Sequence, residues 1–293
     1  MVTRVAVIGA GGMGSWFARF FKSRGDSVIV SDRDRRKARS LASRIRARCA
    51  SSNAQAARES DIVIIATPVN VVSDVIKEIV PILRRNTLLC DVCAVKSAVI
   101  PALRSAERRG IRVASIHPMF GPLASGLRDK VIVVACIGKD RRGIDMVKRV
   151  FQGARIFLAD PDAHDKQTAL TLALPHFLNM AFASAISRKR KLAEVRKFAG
   201  RTFHLQMLLA ETVATEPDTT ADIQITNKQF AIILRELQRD IQSLARLIYR
   251  RDRPKLIARY RRIKELLSTD PEFSVARKTF EKICEVSSTI SKG

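Results

Sequence analysis

A short apolar run, Arg4-Val5-Ala6-Val7-Ile8, opens directly onto Gly9-Ala10-Gly11-Gly12-Met13-Gly14, and an amphipathic stretch follows in which Trp16, Phe17, Phe20 and Phe21 recur at helical spacing. No other feature restricts the fold of this 293-residue chain as much. Glycines between a buried strand and a helix permit a tight turn, a close backbone approach to a ligand, and close contact of helix with strand. The helix start also presents unpaired N–H groups and the positive end of a dipole to phosphate oxygens. Gly9, Gly11, Gly12, Met13 and Gly14 are therefore the expected dinucleotide-binding residues. Asp32 stands at the tip of the next apolar run, Val28-Ile29-Val30. A carboxylate there accepts both ribose hydroxyls of NAD and repels the 2′-phosphate of NADP. Arg33, Arg35 and Arg36 follow at once, either as a solvated helix start or as a clasp for a 2′-phosphate, so NAD is expected and NADP stays open.

The first half continues as short apolar runs alternating with helical patterns, which implies βαβ units and a parallel sheet. Strands are expected near 62–66, 87–92, 111–116, 130–136 and 154–158. Helices are expected over 12–24, 35–48, 70–84, 98–109 and 141–152. From Asp160 onward the period changes to 3.6, over 162–191, 193–214, 220–250 and 253–267. The expected architecture is an α/β Rossmann-like doubly wound sheet over residues 1–159, followed by an all-α domain over 160–293. No uninterrupted apolar run approaches the roughly 20 residues that span a bilayer, and the start leaves no room for a signal peptide. A cytoplasmic protein with reduced thiols is expected.

Three consecutive strand ends carry chemistry. Thr67-Pro68 closes one and is expected to line the cofactor; Asp91 to Lys96 closes the next; His117, before a Gly/Pro loop over 117–130, closes the third. Ligands of open α/β sheets lie at this carboxyl edge. A His there is a natural general base, since its ordinary pKa of about 6.5 needs little adjustment; its bland alternative is a loop hydrogen bond. His164-Asp165 reads equally as a helix start or as part of a site, and His176 follows Pro175 inside a helical pattern. Cys90-Asp91-Val92-Cys93 sits within an apolar strand, unlike a redox Cys-x-x-Cys that opens a helix, and no spacing suggests a metal site.

The charge invites a different reading. Lys and Arg number 53 against 28 Asp and Glu, a net of +25, which nucleic-acid binders often show. The excess spreads over both halves, with 28 basic and 12 acidic residues in 1–150 and 25 and 16 in 151–293. The basic clusters at 33–37, 188–191 and 250–253 are mostly interrupted by acids, and 5% aromatic content supplies no stacking platform. Neither a specific nucleic acid nor a membrane is expected as partner.

Taken together, the N-terminal Gly-x-Gly-x-x-Gly, Asp91 to Lys96, His117-Pro118-Met119-Phe120-Gly121-Pro122, His164-Asp165, Leu174-Pro175-His176-Phe177 and Ala221-Asp222-Ile223-Gln224 resemble the prephenate dehydrogenase family of tyrosine biosynthesis. The resemblance implies a helical domain that forms a homodimer, and NAD-dependent oxidative decarboxylation of the dianion prephenate to 4-hydroxyphenylpyruvate. It makes His117 the proton acceptor with Lys96 the cation nearest to it, and puts His176 and Gly121 in the substrate pocket. Arogenate, or a related cyclic or 2-oxo acid, is the alternative substrate; a dinucleotide-binding regulatory protein with weakened catalysis is the alternative role. Two positions depart from the family. Ala94 stands where a hydroxyl residue usually bonds the catalytic His, and Leu209-Ala210-Glu211-Thr212-Val213 replaces a stretch with a carboxylate-binding Arg. Arg201, about three turns upstream, is the remaining candidate for that cation.

Overall fold

The computed structural model describes residues 2–138, 141–188 and 192–290, the last four by backbone alone. Of the basic cluster 188–191, only Arg188 falls within them. Two compact units result: Met1–Ala173 with Asp218–Phe230, and Leu174–Pro217 with Ala231–Gly293.

The first unit holds eight strands: β1 (Arg4–Ile8), β2 (Ser27–Ser31), β3 (Arg48–Cys49), β4 (Ile62–Ile65), β5 (Leu88–Asp91), β6 (Arg112–Pro118), β7 (Val131–Ala135) and β8 (Arg155–Ala159), in the order β3-β2-β1-β4-β5-β6-β7-β8. β1 to β6 pair in parallel, β7 is antiparallel to β6, and β8 is parallel to β7. The expected Rossmann-like sheet is present, but not wholly parallel. A parallel return needs a crossover, usually a helix, and the Gly/Pro-rich stretch between β6 and β7 forms none.

Six helices cover the sheet: α1 (Gly12–Ser23), α2 (Arg35–Arg44), α3 (Asn53–Arg58), α4 (Val69–Ile79), α5 (Ile100–Arg108) and α6 (Arg142–Val150). Successive strand residues face opposite ways, so two cores form. Val5, Val7 and Ile64 pack with Phe17, Phe21 and Phe151; Ala6, Ile8 and Ile65 pack with Ile76, Ile79 and Leu103.

Two expectations fail locally. The helix expected to run to Arg48 stops at Arg44, because Arg46 adopts a left-handed φ of 53° and the Ala47 amide returns to the Ala42 carbonyl at 2.8 Å. Arg48–Cys49 is thereby freed to pair beside β2. The six-residue α3, capped by Ser52, is too short to show as periodicity.

The remaining helices are α7 (Pro161–Thr168), α8 (Leu174–Ser187), α9 (Leu192–Lys197), α10 (Arg201–Ala214), α11 (Pro217–Thr226), α12 (Lys228–Tyr249), α13 (Arg253–Leu267) and α14 (Phe273–Ile290). A π-helical turn, Ala169–Ala173, joins α7 to α8. It ends two residues before Pro175, whose missing N–H and bulky ring a regular helix tolerates poorly. The helix expected over 220–250 breaks at Asn227, whose side chain accepts from the Gln229 amide at 3.0 Å. α14 lies beyond the expected helices.

The helical run Pro161–Ser187 is, by length and composition, long and apolar enough to cross a membrane; its most apolar window has mean hydropathy 1.5 and is 17% buried. The run is not uninterrupted, since Thr171, Pro175, His176, Asn179 and Ser184 break it, but the Leu, Ile, Phe and Ala between them keep its average high.

Candidate active site

The glycine turn has the geometry that its sequence requires. Gly9 has φ +105°, and a Cβ there would lie 2.4 Å from the Ala66 carbonyl oxygen; on Gly14 a Cβ would lie 1.8 Å from the Gly9 carbonyl oxygen. These two glycines bring α1 down onto the turn and the turn onto β4. Gly11 differs, having nothing within 4 Å of an added Cβ, and it begins α1 without any side-chain cap. Open backbone at an uncapped helix start is the cradle a pyrophosphate needs. Asp32 is held in place beside it: Oδ2 accepts from the Ala10 amide at 2.6 Å and Oδ1 from the Asp34 amide at 2.8 Å. Arg33 is exposed next to it. Thr67, after β4, has a buried Oγ1 with no hydrogen-bond partner, and Pro68 follows, exposed. An open glycine, a fixed carboxylate and an orphaned hydroxyl at one strand edge fit a dinucleotide.

At the next strand ends lies a chain of buried polar groups. His117, in β6, is 7% exposed, and its Nδ1 is 3.0 Å from Nε2 of His164 on α7. His164 Nδ1 is 3.0 Å from Asp165 Oδ1. Asp165 also accepts from the amides of Lys96 and Ser97, each at 2.8 Å. Thr168 Oγ1 lies 3.4 Å from His164 Nε2, and Asn227 donates to the Asp165 carbonyl at 2.9 Å. Burial raises the Asp165 pKa, but hydrogen bonds from His164, Lys96 and Ser97 outweigh it and hold the carboxyl below its ordinary value. An ionised Asp165 accepts from His164 Nδ1–H, which leaves His164 Nε2 to accept from His117 Nδ1–H. The network thus assigns the tautomers and leaves His117 Nε2 as the lone-pair nitrogen. Burial, then the Lys96 ammonium, then His164 lower the His117 pKa to about 3.

The hydrogen bond that Ala94 cannot give His117 comes from His164. Sequence reading left His164-Asp165 undecided, since the contact spans 47 residues, and missed Thr168 and Asn227 altogether.

Lys96 is placed otherwise than expected. It is 0% exposed, with Nζ donating to the Ile116 carbonyl at 2.7 Å and lying 3.5 Å from Asp91. Its ammonium is spent on the strand beneath His117 and does not reach the crevice. Arg201 pairs with Glu281 of α14, both exposed. Glu211, in the stretch lacking the family's Arg, pairs with Arg196. Gly121 lies exposed in the loop after β6, which Trp16 pins through a 2.8 Å bond to the Ala124 carbonyl. His176 belongs to the second unit; its Nδ1 is buried without a partner, and burial lowers its pKa. Cys90 and Cys93 are free and buried, and burial pushes both thiols well up, so neither is a ready nucleophile.

Fold and site together define a nucleotide-binding α/β unit joined to a helical one. The family model for the nucleotide-binding domain of prephenate dehydrogenase matches residues 17–153, and that for its dimerization domain matches residues 160–262. The chain belongs to the prephenate dehydrogenase family. It is 29% identical over 252 residues to a probable arogenate/prephenate dehydrogenase of Methanocaldococcus jannaschii, covering 84% of this chain and 56% of that protein. It is 27% identical over 276 residues to the cyclohexadienyl dehydrogenase of Zymomonas mobilis, covering 88% and 92%. The chain spans 56 to 66% of the length of several of these relatives, including the T-protein of Haemophilus influenzae. Its fold is that of the A. aeolicus prephenate dehydrogenase solved with hydroxyphenyl propionate and NAD+, with TM-score 0.75 and 20% identity over 92% of this chain and 99% of that one.

Proposed function

We propose that this chain is an NAD-dependent dehydrogenase that oxidatively decarboxylates prephenate to 4-hydroxyphenylpyruvate, acting as a cytoplasmic homodimer in tyrosine biosynthesis. The observation that carries the reading is the His117–His164–Asp165 chain at the same carboxyl edge of the sheet as the glycine cradle. In this chemistry the ring 4-hydroxyl loses its proton, carbon dioxide departs, the ring aromatises, and the phenolate regains a proton. Bound NAD supplies the acceptor for the hydride that leaves ring C4.

His117 Nε2 takes the hydroxyl proton, while His164 keeps it in the correct tautomer and Asp165 stabilises the imidazolium that forms. A dianionic substrate nearby raises the low His117 pKa toward the value a base needs, because an opposite charge favours the protonated form. Lys96 acts through His117 and not on substrate. His176 and Gly121 are the substrate-pocket candidates; Arg201 joins them only if its pair with Glu281 opens. Gly9, Gly11, Gly12, Met13 and Gly14 would hold the pyrophosphate and Asp32 the ribose, and Thr67-Pro68 would line the cofactor. The position of Asp32 favours NAD, although Arg33 beside it is suited to NADP. Residues 1–159 form the cofactor part and 160–293 the substrate and dimer part.

The names of the relatives leave arogenate as the second substrate. Steady-state kcat/KM for prephenate and arogenate, each with NAD and NADP, tests the reading. The expected result is turnover favouring prephenate with NAD; tight cofactor binding without turnover of either acid overturns it. The apolar, exposed helices of the second unit support the homodimer.

A further inference from the structure

Three dibasic turns, Arg84-Arg85, Arg108-Arg109 and Arg141-Arg142, fall at one end of the sheet, where β5 and β6 begin and α6 starts. That end is opposite the carboxyl edge that carries the glycine cradle and His117. Arg85, Asn86, Arg108, Arg109, Gly110 and Arg142 line a cleft of about 670 Å³ there, with no acidic or aromatic side chain among them. Local backbone brings the turns together. Gly110 takes φ +81° before β6, and a Cβ on Gly143 would lie 1.9 Å from the Val113 carbonyl oxygen, so only glycine lets α6 start against β6.

Neighbouring acids are turned to other tasks. Asp61 is shared by Arg4 and Arg84, at 3.0 Å each, and the Glu107 carboxylate is turned against Gly138, with Oε1 buried and without a hydrogen-bond partner. Among the described residues, Arg85, Arg108 and Arg109 have no acidic partner. Arg112 donates to Asn86 Oδ1 at 3.1 Å, which fixes that side chain, and its own Nε is buried without a partner.

We propose that this cleft binds a small anion carrying consecutive phosphate groups. Guanidinium forks match phosphate oxygens in pairs, the volume suits a small molecule, and the lack of aromatic lining argues against stacked bases. The site is independent of the proposed dehydrogenase activity.

The test is isothermal titration of the full chain with tripolyphosphate at about 150 mM salt, with NADH saturating, using the wild type, the double variant Arg108→Gln/Arg109→Gln, and Arg33→Gln as a control. Single-site binding is expected, about tenfold or more weaker in the double variant and unchanged in Arg33→Gln, with NADH affinity of the double variant intact. No binding, or binding that the double variant retains, overturns the proposal. So does equal binding of a mixed-sequence RNA that vanishes between about 50 and 200 mM salt, which marks unspecific charge attraction.

Discussion

The two units differ in how their apolar side chains are spent. In the first, helices cover both faces of the central strands and residues such as Phe17 and Ile64 are wholly buried, while Phe157 and Leu158 of the edge strand β8 stay partly exposed. In the second, α12 and α13 leave Ile248 57% and Leu266 66% exposed, and no residue of α13 is buried. Strands of a parallel sheet are buried on both sides by the helices their own crossovers supply. A helix has one apolar stripe and needs a partner surface, so the first unit buries the centre of its sheet with its own helices, whereas α12 and α13 leave apolar residues uncovered, which the proposed homodimer would cover.

That contrast breaks most sharply at the glycine turn. Gly14→Ala places a methyl group in the Gly9 carbonyl, and roughly 3 kcal/mol or more of stability is expected to go, read as a large fall in Tm. Gly11→Ala, with open space around it, keeps the Tm and loses NADH affinity by fluorescence titration. Equal effects of the two would refute the division of labour between them.

His117→Asn is expected to lower kcat by about 10² or more with NADH affinity intact. A loss confined to cofactor affinity would remove His117 from the chemistry.

For the second unit, Ile241→Glu with Ile248→Glu sets two charges on one exposed face of α12. Sedimentation should show monomers, and the Tm should lose its dependence on protein concentration while NADH binding survives. A variant that stays dimeric would move the interface off α12.

The remaining effect is electrostatic. With a native pKa of about 3 against roughly 6.5 unfolded, His117 binds no proton in the folded chain between those values, whereas the unfolded chain does. Stability therefore rises with pH across that window by up to about 1.4 kcal/mol per unit and is fully present above it. Asp165, also lowered, adds the same sign at the acid end. Urea titrations near pH 4.5 and 6.5 should show a smaller difference in His117→Asn; an unchanged difference would contradict the buried neutral imidazole.

Much of the first unit was legible because its signals are local: strand runs, turn glycines, an acid at a strand tip. β3, α3 and α14 were not, being two residues, six residues, and a helix beyond the clearest periodicity. In the site, His117 was legible as a strand-end base. Its partner was not, because Ala94 suggested that His117 lacked a hydrogen bond and nothing in the chain near it pointed to His164. Lys96 misled for the opposite reason: strand position told where its backbone lies, while the direction of a long side chain depends on which carboxylate and carbonyl it meets.

By itself the sequence determined the glycine cradle, Asp32, the change of period after residue 159 and the strand ends that bear Thr67 and His117. All of these rest on interactions within a few residues or on a repeating pattern. Tertiary structure alone decided that β7 runs antiparallel, that Asp165 is anchored by the Lys96 and Ser97 amides, that Asn227 breaks a helix to reach the Asp165 carbonyl, and that Lys96 turns inward. Each depends on which distant segments dock, and that choice is made by burial of the whole core.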